Sequence, residues 1–231
     1  MEMQGKVVLA VGAHPDDLEF FAGGTIAKYV SAGAKVYYLL LTDGSKGAED
    51  HKIAVEELIQ IRKDEQLAAA KVLTISAVTF LDEVDGELEN TLELRKKIVE
   101  IVRKVKPEVV ITFDPSYLYD ADWGMVNHPD HRAAGQATLD AVFPYARNRR
   151  TFPELLEKGQ DIHSVSTLLL INLKDSNYME DISLFIDKKV ESLSCHKSQK
   201  DDSPEVINLM KKLCVKKGKK YCESYVKIEL A

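Results

Sequence analysis

The chain has 231 residues, 45% of them hydrophobic and 29% charged, enough for one globular domain with a sizeable core. A net charge of −6 argues against nucleic acid as the main partner, and no run approaches the about 18 consecutive apolar residues of a membrane span. Cys195, Cys214 and Cys222 lack CxxC spacing, and the N-terminus enters a strand-like run without a signal-peptide layout. The expectation is a cytoplasmic protein with neither a disulfide framework nor a zinc knuckle.

In chain order, VVLAVG (7–12) is a continuous apolar run, as expected of a strand buried on both faces. Gly23-Gly24-Thr25 then reads as the opening of a helix that Gly33 stops. Strands are expected at 36–42, 78–81 and 109–113, alternating with helices at 55–73 and 91–106, the last ended by Pro107. A helix at about 132–143, a strand at 165–173, a helix at 182–197 and an edge strand at 225–230 follow. The basic run KKLCVKKGKK (211–220) reads as a solvated helix face or turn. This alternation implies an α/β fold: a Rossmann-like, mainly parallel sheet with helices on both faces. No linker or repeat interrupts it, so residues 1–231 form a single domain, with a core at about 6–140 and a C-terminal elaboration at about 141–231.

In such sheets the ligand crevice lies beyond the carboxyl ends of the strands. The polar segments fall on that edge: HPDD (14–17), TDGSKG (42–47), LDEVDG (81–86) and FDPSYLYDADWGMVNHPDH (113–131). His14-Pro15-Asp16-Asp17 has a near copy in His128-Pro129-Asp130-His131. Each places Pro before a helix start and Asp in its first turn, so helix capping alone is the simpler alternative. A catalytic metal asks for more: three ligands, usually His with a carboxylate, and one open position. His14 and Asp17, three apart, fit one tight turn, and His131 would close the triangle. Asp16, His128 and Asp130 are left for catalysis or support. Two carboxylates occupy the first loop where a dinucleotide's pyrophosphate would lie, which disfavours a nucleotide-dependent oxidoreductase.

HPDD followed by GGT, TDG, a helix with Arg62, Glu65, Ala69 and Ala70, then DGEL and HPDH, resembles the LmbE/PIG-L family of zinc-dependent N-acetylglucosaminyl deacetylases. The resemblance covers roughly residues 6–140, with a weaker echo at 189–199. It implies one Zn2+ per chain held by His14, Asp17 and His131, although a His2Asp site accepts other divalent metals. Asp16 would be the general base. A protonated His128 would bear the oxyanion, with Asp130 behind it. Arg62 and Asp85 would hold sugar hydroxyls or phosphate, and His196 and Trp123 are further substrate-binding candidates. The substrate would be an amino-sugar small molecule, and the chain a homo-oligomer. The loops 114–127 and 144–160 are expected to border the pocket. Hydrolysis of another N-acyl or thiol-conjugate amide, or a non-catalytic metal- or sugar-binding module, are the alternatives. Asp43 and Glu19 read equally as site or ordinary polar residues, whereas His51 and His163 read as structural or exposed.

Overall fold

The computed structural model describes residues 2–48, 52–215 and 221–231, so His51 and positions 216–220 of the basic run lie outside the described residues. The chain runs β1 (Val7–Gly12), α1 (Asp17–Ser31), β2 (Lys35–Thr42), α2 (Val55–Val72), β3 (Ala77–Glu83), α3 (Leu92–Val105) and β4 (Val109–Phe113). A small hairpin follows, β5 (Tyr119–Asp120) and β6 (Met125–Val126), then α4 (Pro129–Asp140) and α5 (Pro153–Glu157). The rest is β7 (Thr167–Ile171), β8 (Tyr178–Asp181), α6 (Ile186–Leu193), α7 (Pro204–Cys214) and β9 (Cys222–Glu229).

The main sheet has seven strands in the order β3-β2-β1-β4-β7-β9-β8. The first five are parallel, β9 is antiparallel to β7, and β8 is antiparallel to β9. Every residue of β4 and β7 is buried, which is why these strands are apolar without alternation. One core runs from Met3 to Tyr225, so the C-terminal strands share it with the first half of the chain. β1 and β4 are neighbours, and the chain moves outward in opposite directions from them. The crevice above this pair is the topological switch point of the sheet. Among the described residues, no helix is long and apolar enough to cross a membrane.

Three expectations need correction. Helix α1 starts at Asp17, inside HPDD, rather than at Gly23. The glycines serve packing instead: a Cβ on Gly24 would lie 2.5 Å from Ile182 Cδ1. The second correction concerns the edge: β9 is not the edge strand, because β8 pairs with its outer side. The third is that the expected helix at 132–143 begins three residues earlier, at Pro129, and gives way after Asp140 to a wider turn over Ala141–Tyr145.

Glu223, buried against Lys189, ties the C-terminal region to α1. Lys189 Nζ on α6 donates to Glu223 on β9, and both side chains are almost fully inaccessible. Glu223 also accepts from the Gly24 and Thr25 amides at 2.9 and 2.7 Å, and the Tyr225 hydroxyl lies 3.2 Å away. These outward-donating amides are what GGT shares with a true helix start. Removing one member of a fully buried pair strands the other charge, which costs about 3–5 kcal/mol. Lys189→Met is therefore expected to destabilise the fold by about that amount in urea titrations. A loss below about 1 kcal/mol would show that the pair does not secure α6 and β9.

Candidate metal centre and active-site cleft

The HPDD turn is built by its own carboxylate. Asp17 Oδ2 accepts from the Ala13 and His14 amides at 3.0 and 2.7 Å, folding the side chain back over the end of β1. Asp17 is the first residue of α1, where the helix dipole favours negative charge. Asp16 takes φ 102°, an unusual conformation for a non-glycine residue and of the kind stored at functional sites. The HPDH turn is built differently. His128 caps α4, its Nδ1 accepting from the Asp130 amide at 3.2 Å, with Pro129 in the first helical turn. Gly135 lets α4 lie directly on the end of β4, since a Cβ there would stand 2.3 Å from the Phe113 carbonyl oxygen. The His131 ring then stacks on Phe113, with centroids 4.0 Å apart and planes at 2°.

The two turns meet. Donor atoms of His14, Asp17 and His131 all lie within 4.8 Å of one another. Asp17 Oδ1 is 3.0 Å from His131 Nε2, and Asp17 Oδ2 is 3.4 Å from His14 Nδ1. Each imidazole is oriented by its other nitrogen: His131 Nδ1 is 3.0 Å from Asn127 Oδ1, and His14 Nε2 is 3.2 Å from both Asp130 Oδ2 and Asp85 Oδ1. Imidazoles held from behind by amide or carboxylate oxygen are characteristic of metal ligation. The electrostatics agree. Burial opposes charge on His14, yet Asp17, Asp130 and Asp85 outweigh it and push the ring up to about 12. These oxygens call for a positive charge at the centre, and two imidazoles with one carboxylate fit a divalent cation with a position to spare.

Beside this set lies Asp16. Its Oδ2 accepts from Arg62 Nη2 at 2.8 Å, and its amide donates to Gln66 Oε1 at 3.2 Å. Burial and the Asp17 carboxylate push its pKa up while Arg62, His196 and His14 pull it down, leaving it at about 6. Behind it, Gln66 Nε2 donates to Glu19 at 3.1 Å, and His196 Nε2 lies 3.3 Å from the other Glu19 oxygen.

These contacts reassign several residues. Arg62 is 2% exposed and its guanidinium is taken by Asp16 and the Pro15 and Gly44 carbonyls, so it secures Asp16 rather than standing free for a sugar. The Asp130 carboxylate does not sit behind the His128 ring. It faces His14 and accepts from the Gly86 amide at 2.7 Å, and only its backbone touches His128. His128 is lowered, first by burial and then by His14 and His131, so it is not held protonated as expected. Asp85 lines the cleft but is engaged with His14 and the Lys46 amide. His196 is wholly buried and cannot touch a ligand in this arrangement. Trp123 lies outside the cleft wall, its ring covered by Lys212 Nζ at 5.3 Å. Asp43 braces the Asp85 loop by accepting the Asp85 amide at 3.1 Å. His163 is structural, 2.7 Å from the Pro107 carbonyl.

Gln66 and Asn127 escaped the sequence reading. Gln66 could have been found: Leu58, Arg62, Gln66, Ala69 and Ala70 form the buried face of α2, and two polar residues one turn apart on such a face need partners. Asn127 had only its place before HPDH.

Two spaces open on either side of His128 and His131. One is a polar cleft of about 330 Å³ lined by His14, Asp16, Lys46, Arg62, Asp85 and Gln199. The other is an apolar cavity of about 150 Å³ lined by Phe21, Phe113, Tyr117, Met125, Val126 and Leu173 among others. Loop 114–127 thus walls the site. Residues 144–160 line neither space: the Arg103 guanidinium gathers the carbonyls of Tyr145, Ala146, Asn148 and Thr151 against α3.

Residues 9–142 match the family described as GlcNAc-PI de-N-acetylase, PIG-L. The chain is 37% identical to the diacetylchitobiose deacetylase of Thermococcus kodakarensis over 84% of its own length and 70% of that protein's. It is 29% identical to a probable N-acetyl-alpha-D-glucosaminyl L-malate deacetylase 2 of Bacillus anthracis, over 83% and 80%. The solved structure of N,N'-diacetylchitobiose deacetylase from Pyrococcus horikoshii superposes with a TM-score of 0.88 at 28% identity, covering 97% of this chain and 84% of that one. With both HPDD and HPDH inside the matched segment and the fold shared over nearly its whole length, this chain belongs to the PIG-L family.

Proposed function

We propose that this chain is a hydrolase that removes the acetyl group from an N-acetylglucosamine-containing small molecule, with one zinc ion as cofactor. The observation that carries this reading is the Asp16 carboxylate, pinned by Arg62 beside the His14–Asp17–His131 donor set. A site meant only to hold a metal needs no such spare carboxylate.

His14, Asp17 and His131 would hold the ion, which when bound polarises an amide carbonyl and acidifies a water. Asp16 takes the proton of the attacking water, a task suited to a carboxyl raised toward neutrality. His128 accepts the Asp130 amide at Nδ1, which places its own proton on Nε2. It therefore serves as a neutral donor to the developing oxyanion rather than as an imidazolium. Asp16 then returns its proton to the leaving nitrogen as the C–N bond breaks. Water's oxygen ends in acetate, and the sugar leaves as the free amine. Asp130 and Asp85 fix the His14 ring, and Lys46 and Gln199 edge the cleft where sugar hydroxyls would lie. On the family resemblance we also propose a homo-oligomer, and on the cysteine pattern a cytoplasmic location.

Asp16→Asn is expected to keep its metal and lose at least about 10²–10⁴-fold in acetate release from N-acetylglucosamine and diacetylchitobiose. Undiminished turnover would remove Asp16 as the base. Asp17→Ala, in contrast, is expected to lose bound metal by elemental analysis. In the wild type, chelation should abolish activity and lower Tm, and zinc should restore both. Full activity in metal-stripped protein would overturn the metal assignment.

A further inference from the structure

The apolar cavity is larger than an acetyl group requires. Acetyl places a single methyl beyond the reacting carbonyl. A cavity of about 150 Å³ lined by aliphatic and aromatic side chains is enough to hold benzene. The cavity also meets the reacting centre directly, because His128 and His131 line both it and the polar cleft. An N-acyl amino sugar has the same two-sided chemistry, hydroxyls on the amine side and hydrocarbon on the acyl side. The cleft carries Lys46, Asp85 and Gln199, whereas the cavity wall carries Phe21, Phe113, Met125, Val126 and Leu173. With hydroxyls in the cleft and the carbonyl at the histidine pair, the acyl hydrocarbon points into the cavity.

We propose that this cavity is an acyl-binding pocket and that the chain hydrolyses N-acyl glucosamines with acyl groups longer than acetyl, N-butyryl included. The proposal rests on the deacetylase reading and extends its substrate class. The reaction is balanced in the same way: water adds to the acyl carbon, the C–N bond breaks, the nitrogen takes a proton, and butyrate leaves in place of acetate. Tyr117 also lines the cavity, and its hydroxyl is buried without a hydrogen-bond partner. Each methylene buried in the transition state raises kcat/KM by up to about fourfold, the equivalent of about 0.8 kcal/mol.

The test is a panel of N-acetyl-, N-propionyl- and N-butyryl-glucosamine with the zinc-loaded enzyme, scored by free amine. The expected result is a kcat/KM for the butyryl compound at least equal to that for the acetyl compound. Hydrolysis of N-acetyl with a lower value for N-butyryl overturns the pocket while leaving the deacetylase reading intact. Hydrolysis of none of the three, nor of diacetylchitobiose, overturns that reading instead. Leu173→Trp fills the cavity from β7's side and should shift the butyryl-to-acetyl ratio at least tenfold toward acetyl. Met125→Trp, at a half-buried position of the same wall, gives the same readout if Leu173→Trp does not fold. An unchanged ratio in a folded variant overturns the proposal. So does a gain on apolar glycosides of N-acetylglucosamine without a gain on longer acyl groups, because the cavity would then hold the aglycone.

Discussion

Four carboxylates, those of Asp16, Asp17, Asp85 and Asp130, converge on one imidazole and one guanidinium where β1 and β4 part. Most of the structure around them answers the cost of that crowding. Taking a carboxylate out of water costs several kcal/mol even after relaxation. A helix N-terminus offsets about 0.3–1 kcal/mol, and only Asp17 and Asp130 sit in a first helical turn among these four. Backbone amides help at Asp17 and Asp130, yet the balance still requires positive charge. Arg62 supplies it at Asp16. At Asp17, Asp85 and Asp130 the nearest partners are the His14 and His131 imidazoles, with Arg62 Nη1 farther off at 3.9 Å from Asp85, so the donor set favours a cation at its centre. The same negative field that favours a cation also draws Arg62 inward, where Asp16 and the Pro15 and Gly44 carbonyls take its guanidinium.

What the sequence disclosed followed from how local each signal is. β1 and β4 were legible to the residue because a parallel strand buried on both faces reads as a nearly unbroken apolar run. HPDD and HPDH were legible as halves of one site because the order of strands brings their carboxyl ends to one edge whatever the loops do. Partnership was not legible. Whether Asp130 turns to His128, two residues away, or to His14, more than a hundred away, depends on how α4 seats against β1. Periodicity carries no information on that. His196 failed for the same reason: a helix-end histidine looks available until Glu19 and the end of α6 enclose it. GGT misled because the amides of Gly24 and Thr25 do point at a carboxylate, one supplied by β9 rather than by a cap.

The C-terminal third is more than an appendage, although the matched family segment ends at residue 142. β7 extends the parallel sheet beside β4, and Ile171 and Leu173 at its end form part of the cavity wall. Ser198 binds both oxygens of Glu65 on α2, at 2.8 and 2.7 Å, holding Gln199 at the rim of the cleft. The HPDD turn with Asp16 comes from the first half of the chain, and the walls of the cleft and cavity come partly from the second. Relatives can therefore keep the reacting centre while changing what enters it.

On the proposed function, that separation bears on how the site would direct an amide. A carbonyl held at a metal can present either of its two substituents to either side, and only one presentation puts the C–N bond within reach of Asp16. Uniform polar walls would bind both orientations alike and waste half of the encounters. Here the His128–His131 pair divides a polar cleft from an apolar cavity, so reversal would bury hydroxyls against Phe113 and Met125 and leave hydrocarbon against Asp85 and Lys46. Burying a hydroxyl without a partner costs about 1–3 kcal/mol, so two or three such groups suffice to exclude the reversed complex. On that reading, orientation would be set by opposed surface chemistry, and the catalytic groups would need to be fixed only once.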